Sequence, residues 1–149
     1  MNCIHFTNEE KYINDFIKLP KKLYSKSDNM EDAKDMKALL KGEHPLSSYF
    51  KLYPFVVYDN KRVVGRFGIT VYPNDVTAYL GFYECIDRDA VAKVIFEEAE
   101  KFAGELGCER MEGPVDASFW IKYRLKINLF DRLPYTGEPY NKEYYLKQF

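Results

Sequence analysis

The chain has 149 residues, 46% of them hydrophobic and 30% charged, which suffices for one core and gives no reason to divide residues 1–149 into two domains. Lys and Arg number 22 against 23 Asp and Glu, and a formal charge of -1 lacks the positive footprint that phosphate backbones and anionic membranes select, so neither is an expected partner. No stretch approaches the roughly 20 apolar residues that span a bilayer, and Cys3, Cys85 and Cys108 make no disulfide framework, which leads to the expectation of a soluble, unprocessed, cytoplasmic protein.

In chain order, Asn2 to Phe6 reads as a short strand. Thr7 and Glu10 have capping-box spacing, and the helix they open carries Ile13, Phe16 and Ile17 inward and is expected to stop before Pro20. A second amphipathic helix is predicted from Asn29 to Lys41, with Met30, Ala33, Met36, Lys37 and Leu40 on one side and Gly42 ending it. Two runs rich in Val, Tyr and Phe follow, Phe50 to Tyr58 and Arg62 to Tyr72, joined by Asp59-Asn60-Lys61 as a hairpin. Arg66 within the second run requires either an edge position or a carboxylate partner, and ion pairing is the better reading.

Pro73-Asn74-Asp75 is a second turn, and Thr77 to Ile86 returns as the next antiparallel strand. Val91, Val94, Ile95, Ala99, Phe102 and Leu106 then recur at threes and fours opposite Lys93, Glu97, Glu100 and Lys101, giving a sheet-covering helix from Asp87 to Gly107. Asp87 or Asp89 is its expected N-terminal cap, and Gly107 its left-handed stop. Arg110 to Val115 reads as a fifth strand, so the helix is a crossover between strands. Gly113-Pro114 marks a sharp turn. From Asp116 the apolar residues fit neither period, and a loop with a short helix is expected. Arg132 to Tyr140, with Pro134, Gly137 and Pro139, should be irregular, after which Asn141 caps a terminal helix carrying Tyr144, Tyr145 and Phe149.

The segments FIKLPKKLY (Phe16 to Tyr24), HP at His44, VVGRFG (Val63 to Gly68), GFYECID (Gly81 to Asp87), MEGPVDASFW (Met111 to Trp120) and PYN (Pro139 to Asn141), together with the order of elements, resemble an uncharacterised bacterial group of the GNAT-type N-acetyltransferase superfamily. The resemblance spreads along most of the chain. It implies an α+β fold of three layers, with a mixed, mostly antiparallel sheet and helices on both faces. It also implies acetyl-CoA as acyl donor and a small-molecule or peptide amine as acceptor. Two departures stand out. The superfamily's Arg/Gln-x-x-Gly-x-Gly/Ala turn wraps the CoA pyrophosphate at a helix N-terminus, and here that place reads Ile86-Asp87-Arg88-Asp89-Ala90-Val91. The superfamily's last two strands also have no counterpart before Phe149, so the chain is expected to be a piece of a longer protein, or to obtain the missing edge from a partner, for instance in a homodimer.

Carried over residue by residue, the resemblance makes Glu84 the candidate general base, because an ammonium cannot attack a thioester. Tyr144 or Tyr145 becomes the candidate acid for the departing thiolate. Tyr83, Glu84, Cys85 and Ile86 would line the pantetheine arm, with Arg88 near the pyrophosphate. Glu84 facing solvent, and tyrosines simply packing, are the structural alternatives in a chain with 13 tyrosines. His5 and His44 have no Cys or carboxylate at ligand spacing, so no metal site is expected, and Cys85 reads as a small buried residue rather than a nucleophile. Two functions follow: an N-acyltransferase using acetyl-CoA, or a non-catalytic module of the same fold acting in self-association or partner binding.

Overall fold

The computed structural model describes residues 1–29, 31–132 and 138–149. Five strands, β1 (Asn2–His5), β2 (Lys51–Asp59), β3 (Arg62–Val71), β4 (Thr77–Cys85) and β5 (Arg110–Glu112), form one sheet in chain order. The first four pair antiparallel and β5 joins β4 in parallel, as a crossover connection requires. β2 and β3 are apolar on both faces because both faces are covered. Phe55 and Val57 point to helix α3 (Asp89–Glu105), whereas Val56 and Tyr58 point to α1 (Glu10–Leu23) and α2 (Ala33–Leu40). Phe55 and Phe67, partners across β2 and β3, stack with centroids 4.6 Å apart. The mixed sheet with helices on both faces is the architecture that the sequence led us to expect. Among the described residues, no helix is long and apolar enough to cross a membrane.

Several local expectations are corrected. The Thr7–Glu10 capping box does not form: Glu9 precedes α1, and its carboxylate accepts the Thr7 backbone N–H at 2.8 Å. Nor does the helix stop before Pro20. Proline lacks the N–H that would bond the carbonyl four residues earlier, but that carbonyl, on Phe16, accepts instead from Arg66 Nη1 at 2.8 Å, so α1 runs on to Leu23. The second helix starts four residues later than predicted, because Asp32 caps it by accepting from the N–H groups of Lys34 and Asp35, and Met30 lies outside the described residues.

At the crossover helix Arg88 holds the N-cap position without a side-chain cap. Asp89 is the first helical residue and pairs with Lys147 at 2.8 Å, so neither aspartate caps. Gly107 does adopt φ +80° at the C-terminus, as expected there. β5 ends at Glu112, and Val115–Asp116 (β6) instead pairs with Lys122–Tyr123 (β7) in a separate small ladder where a short helix was expected. Trp120, between them, is 91% exposed. Asn141 does not cap the terminal helix α4 (Tyr145–Gln148); it accepts from the Lys126 N–H and donates back to the Lys126 carbonyl, tying 126 to 141. Of the stretch expected to be irregular, residues 133–137, including Pro134 and Gly137, lie outside the described residues.

Candidate functional site

A bulge in β4 decides what Glu84 faces. Between the pairs Gly68–Gly81 and Arg66–Glu84, β3 supplies one residue, Phe67, and β4 supplies two, Phe82 and Tyr83. Phe82 takes φ +53° to make the extra step. The bulge shifts the alternation: Ala78 and Leu80 pack toward α3, but so do Tyr83 and Cys85, while Phe82 joins the α1–α2 side. Glu84 is thereby turned to the α1–α2 side and is 8% exposed, which disposes of the solvent-facing alternative.

One oxygen of Glu84, Oε2, accepts from Tyr145 Oη at 2.6 Å and from Tyr24 Oη at 3.0 Å. Burial raises the Glu84 pKa above its ordinary value, opposed by the charge of Arg66 and by the Tyr145 hydrogen bond. Burial and the Glu84 carboxylate push both tyrosine hydroxyls up as well, so they stay protonated donors. Arg66, on β3, is the cross-strand partner of Glu84 and is 2% exposed. Its guanidinium forks onto Glu31 at 2.5 and 3.0 Å, the carboxylate partner that its place in an apolar strand called for.

Around Glu84 lies a cavity of about 330 Å³ between the α1–α2 side and β4, with Tyr24, Asp28, Glu31, Asp35, Glu84 and Asp116 on its walls and Lys122 as the cation among them. A recess of about 40 Å³ on the same carboxylate also touches Arg66, Lys122 and Tyr145. Acidic walls make the larger cavity a place for a cation, and a buried carboxylate with a raised pKa is suited to accept a proton from one.

Of the remaining sequence candidates, Tyr83 and Cys85 turn their side chains to the opposite, α3-covered face of the same strand, and the Cys85 backbone meets the two tyrosines at its edge. Cys85 N–H donates to Tyr145 Oη at 2.9 Å, and the Cys85 carbonyl accepts from Tyr144 Oη at 2.6 Å. The Cys85 thiol is pushed up to about 11 by burial, which leaves it a protonated core group rather than a nucleophile. Tyr83 packs edge-on against Tyr145 and Phe149, and its hydroxyl donates to Gln148. The Ile86 N–H continues the β3 ladder through Val64. Tyr83, Glu84, Cys85, Ile86, Tyr144 and Tyr145 are thus brought together. Arg88 is not: it forms a 2.7 Å ion pair with Asp59.

Sequence reasoning missed Tyr24, Glu31 and Asp116 as site residues. Tyr24 follows the last turn of α1 and carries no periodic signal, and Asp116, which accepts the Phe82 N–H at 2.7 Å, stands in the segment without a period. Glu31 was foreshadowed only as the unnamed partner of Arg66.

No family model and no curated protein matches the sequence. Among the solved structures that share its fold are three GNAT or acetyltransferase proteins. A tandem GNAT protein from the clavulanic acid biosynthesis pathway is 16% identical with a TM-score of 0.61, over 71% of this chain and 34% of that one, so the chain spans about a third of its length. An aminoglycoside acetyltransferase from an uncultured soil metagenomic sample, in complex with sisomicin, is 18% identical with a TM-score of 0.57, over 77% of each chain. A probable acetyltransferase is 15% identical with a TM-score of 0.54, over 95% of this chain and 100% of that one. The fold is that of the GNAT acetyltransferases.

Proposed function

We propose that this GNAT-fold domain is an N-acyltransferase that moves an acetyl group from acetyl-CoA to an amine in the acidic cavity. The observation that carries this reading is Glu84: buried, of raised pKa, held by two tyrosines through one oxygen, and on the wall of a cavity that suits a cation. The fold neighbours, all acetyltransferase-like by description and one of them in complex with the aminoglycoside sisomicin, support an amine acceptor. Acetyl-CoA would supply the acyl group as a thioester.

In the proposed reaction Glu84 takes the proton of the attacking amine, a bond forms between nitrogen and the acyl carbon, and the carbon–sulfur bond breaks. Tyr144 is the better placed of the two candidate acids to protonate the leaving thiolate, because it is only partly buried whereas Tyr145 is in the core, and it does so once its hydroxyl has left the Cys85 carbonyl. The β4 edge at Cys85 fits an amide-bearing arm, since its N–H and carbonyl point away from β3. The start of α3 fits a diphosphate poorly: Asp87 and Asp89 flank Arg88, and Arg88 is engaged by Asp59. We also place the protein in the cytoplasm, consistent with its three free thiols.

A second reading, a non-catalytic module that self-associates or docks a partner, is favoured by the exposure of Trp120 beside Phe119 and by the poor diphosphate site. Isothermal titration with acetyl-CoA, with desulfo-CoA and ADP as controls, separates the two. Saturable binding that depends on the acyl or pantetheine part is expected, and Glu84→Gln should keep that affinity while losing transfer to amines by about 10²- to 10⁴-fold. Acetyl transfer undiminished in Glu84→Gln would remove Glu84 as the base.

A further inference from the structure

β5 pairs with β4 only along Thr77–Tyr79; beyond that point the Val115–Asp116 segment crosses β4 at Gly81 without pairing to it, and the β5-facing edge at Cys85 has no strand paired with it. The Ile86 N–H bonds Val64 on β3, and by alternation the N–H and carbonyl of Cys85 point the other way, toward the open side. Unpaired backbone groups at such depth are costly. The chain satisfies the Phe82 N–H with Asp116 and both groups of Cys85 with side chains of one six-residue segment. Tyr145 takes the Cys85 N–H and Tyr144 supplies the Cys85 carbonyl, while Gln148 Nε2 lies 3.4 Å from the Ile86 carbonyl, which the Arg88 N–H already bonds at 2.7 Å. Phe149 seats its ring edge-on against Tyr83 and Phe96, and Lys147 pairs with Asp89 at the start of α3.

We infer that Tyr144–Phe149 is an in-chain strap over the open edge of β4, and that it competes with acyl-CoA for that edge. The inference rests on the acyltransferase reading. An extended arm carrying amides binds a free strand edge through the same N–H and carbonyl that the strap occupies, so the two are mutually exclusive at Cys85. The strap is suited to release. Its helix has four residues, too short to persist without its contacts, and three of the six strap residues, Leu146, Lys147 and Phe149, are exposed.

Release also reaches across the strand to the other face. Tyr145 Oη bonds Cys85 and Glu84 at once, so a departing strap withdraws one of the two donors on Glu84 Oε2 and leaves Tyr24 alone there. A carboxylate that loses a donor to its charged form becomes the stronger base. Opening of the donor edge and activation of the base are thereby one event, and acyl-CoA affinity is reduced by the fraction of molecules with the strap closed.

The test is a pair of variants that loosen the strap without opening the core, Tyr144→Phe and Gln148→Ala, alone and combined. Each is followed by acetyl-CoA titration and by hydrogen exchange of the Cys85 amide. The expected result is faster exchange at Cys85 and acetyl-CoA binding about tenfold tighter in the combined variant. Faster exchange with unchanged or weaker binding would overturn the strap and leave the acyltransferase reading standing. Unchanged exchange would show that these contacts do not hold the edge, which also overturns it. Faster exchange with no acetyl-CoA binding to either protein would overturn the acyltransferase reading and the strap with it.

Discussion

Pro20 and Arg66 are 46 positions apart in a chain of 149, yet they share one carbonyl. Pro20 cannot bond Phe16 O within α1, and Arg66 Nη1 fills that vacancy from β3 while its guanidinium lies 4.5 Å above the Phe16 ring. Replacing Arg66 by Met removes the partner of Glu31 and leaves a buried carbonyl bare. Glu31 is partly exposed and can rehydrate, so the loss belongs at the lower end of the range for breaking buried pairs, about 3 kcal/mol. About 1 to 2 kcal/mol of that comes from Phe16 O.

Pro20→Ala restores an N–H aimed at the same oxygen. The variant also changes helix propensity and unfolded-chain entropy, but those contributions are common to both backgrounds and cancel in a double-mutant cycle. The cycle, read from urea denaturation midpoints at constant m-value, should show Pro20→Ala more favourable by about 1 kcal/mol in the Arg66→Met background than in the wild type. Additivity within about 0.4 kcal/mol would mean that Pro20 and Arg66 do not act on a common carbonyl, because sites sharing no partner behave that way.

Two further predictions concern the strand that carries the site. Burial raises the folded-state pKa of Glu84 above the ordinary 4.5, so its contribution to stability is fully present below that value and is lost as pH rises through the folded pKa. Glu84→Gln stays neutral throughout; its stability relative to wild type should climb with pH across that window, and a difference independent of pH in thermal melts would contradict the assigned burial. At Gly81 an added Cβ would stand 1.9 Å from the Val115 carbonyl oxygen, whereas at Gly104 it meets nothing. Gly81→Ala should therefore cost more than about 3 kcal/mol and Gly104→Ala should gain up to about 1 kcal/mol by helix propensity; equal effects in urea titrations would mean that the 113–117 segment does not cross β4 as described.

The meander β2–β3–β4 and the crossover helix were legible because each is specified locally, by an apolar run between turn residues or by a stripe at 3.6-residue spacing. Arg66 was legible as a paired charge for the same kind of reason, since a guanidinium in an apolar strand demands an acid. The side on which Glu84 lies was not. It depends on a bulge at Phe82, a non-glycine residue at positive φ that no composition rule announces. Pro20 was misread because its rule supposes that nothing outside the helix will serve the orphaned carbonyl. The fifth strand was read too long, to Val115, because the chain there leaves the sheet and crosses β4 backbone on backbone at Gly81, and Tyr24 meets Glu84 across 60 positions of sequence.

The exposure of Trp120 has an optical consequence. It is the one tryptophan in the sequence, and its indole is in water in the native state as it is in the unfolded one. Emission from it is therefore a poor gauge of folding here. The native packing is instead recorded by tyrosines locked edge-on to other rings, Tyr83 on Tyr145 and Tyr144 on Tyr145 among them, whose near-ultraviolet circular dichroism vanishes when those rings tumble freely. The same dichroism arises at the strap, so one spectrum follows both the unfolding of the domain and the undocking of its last residues.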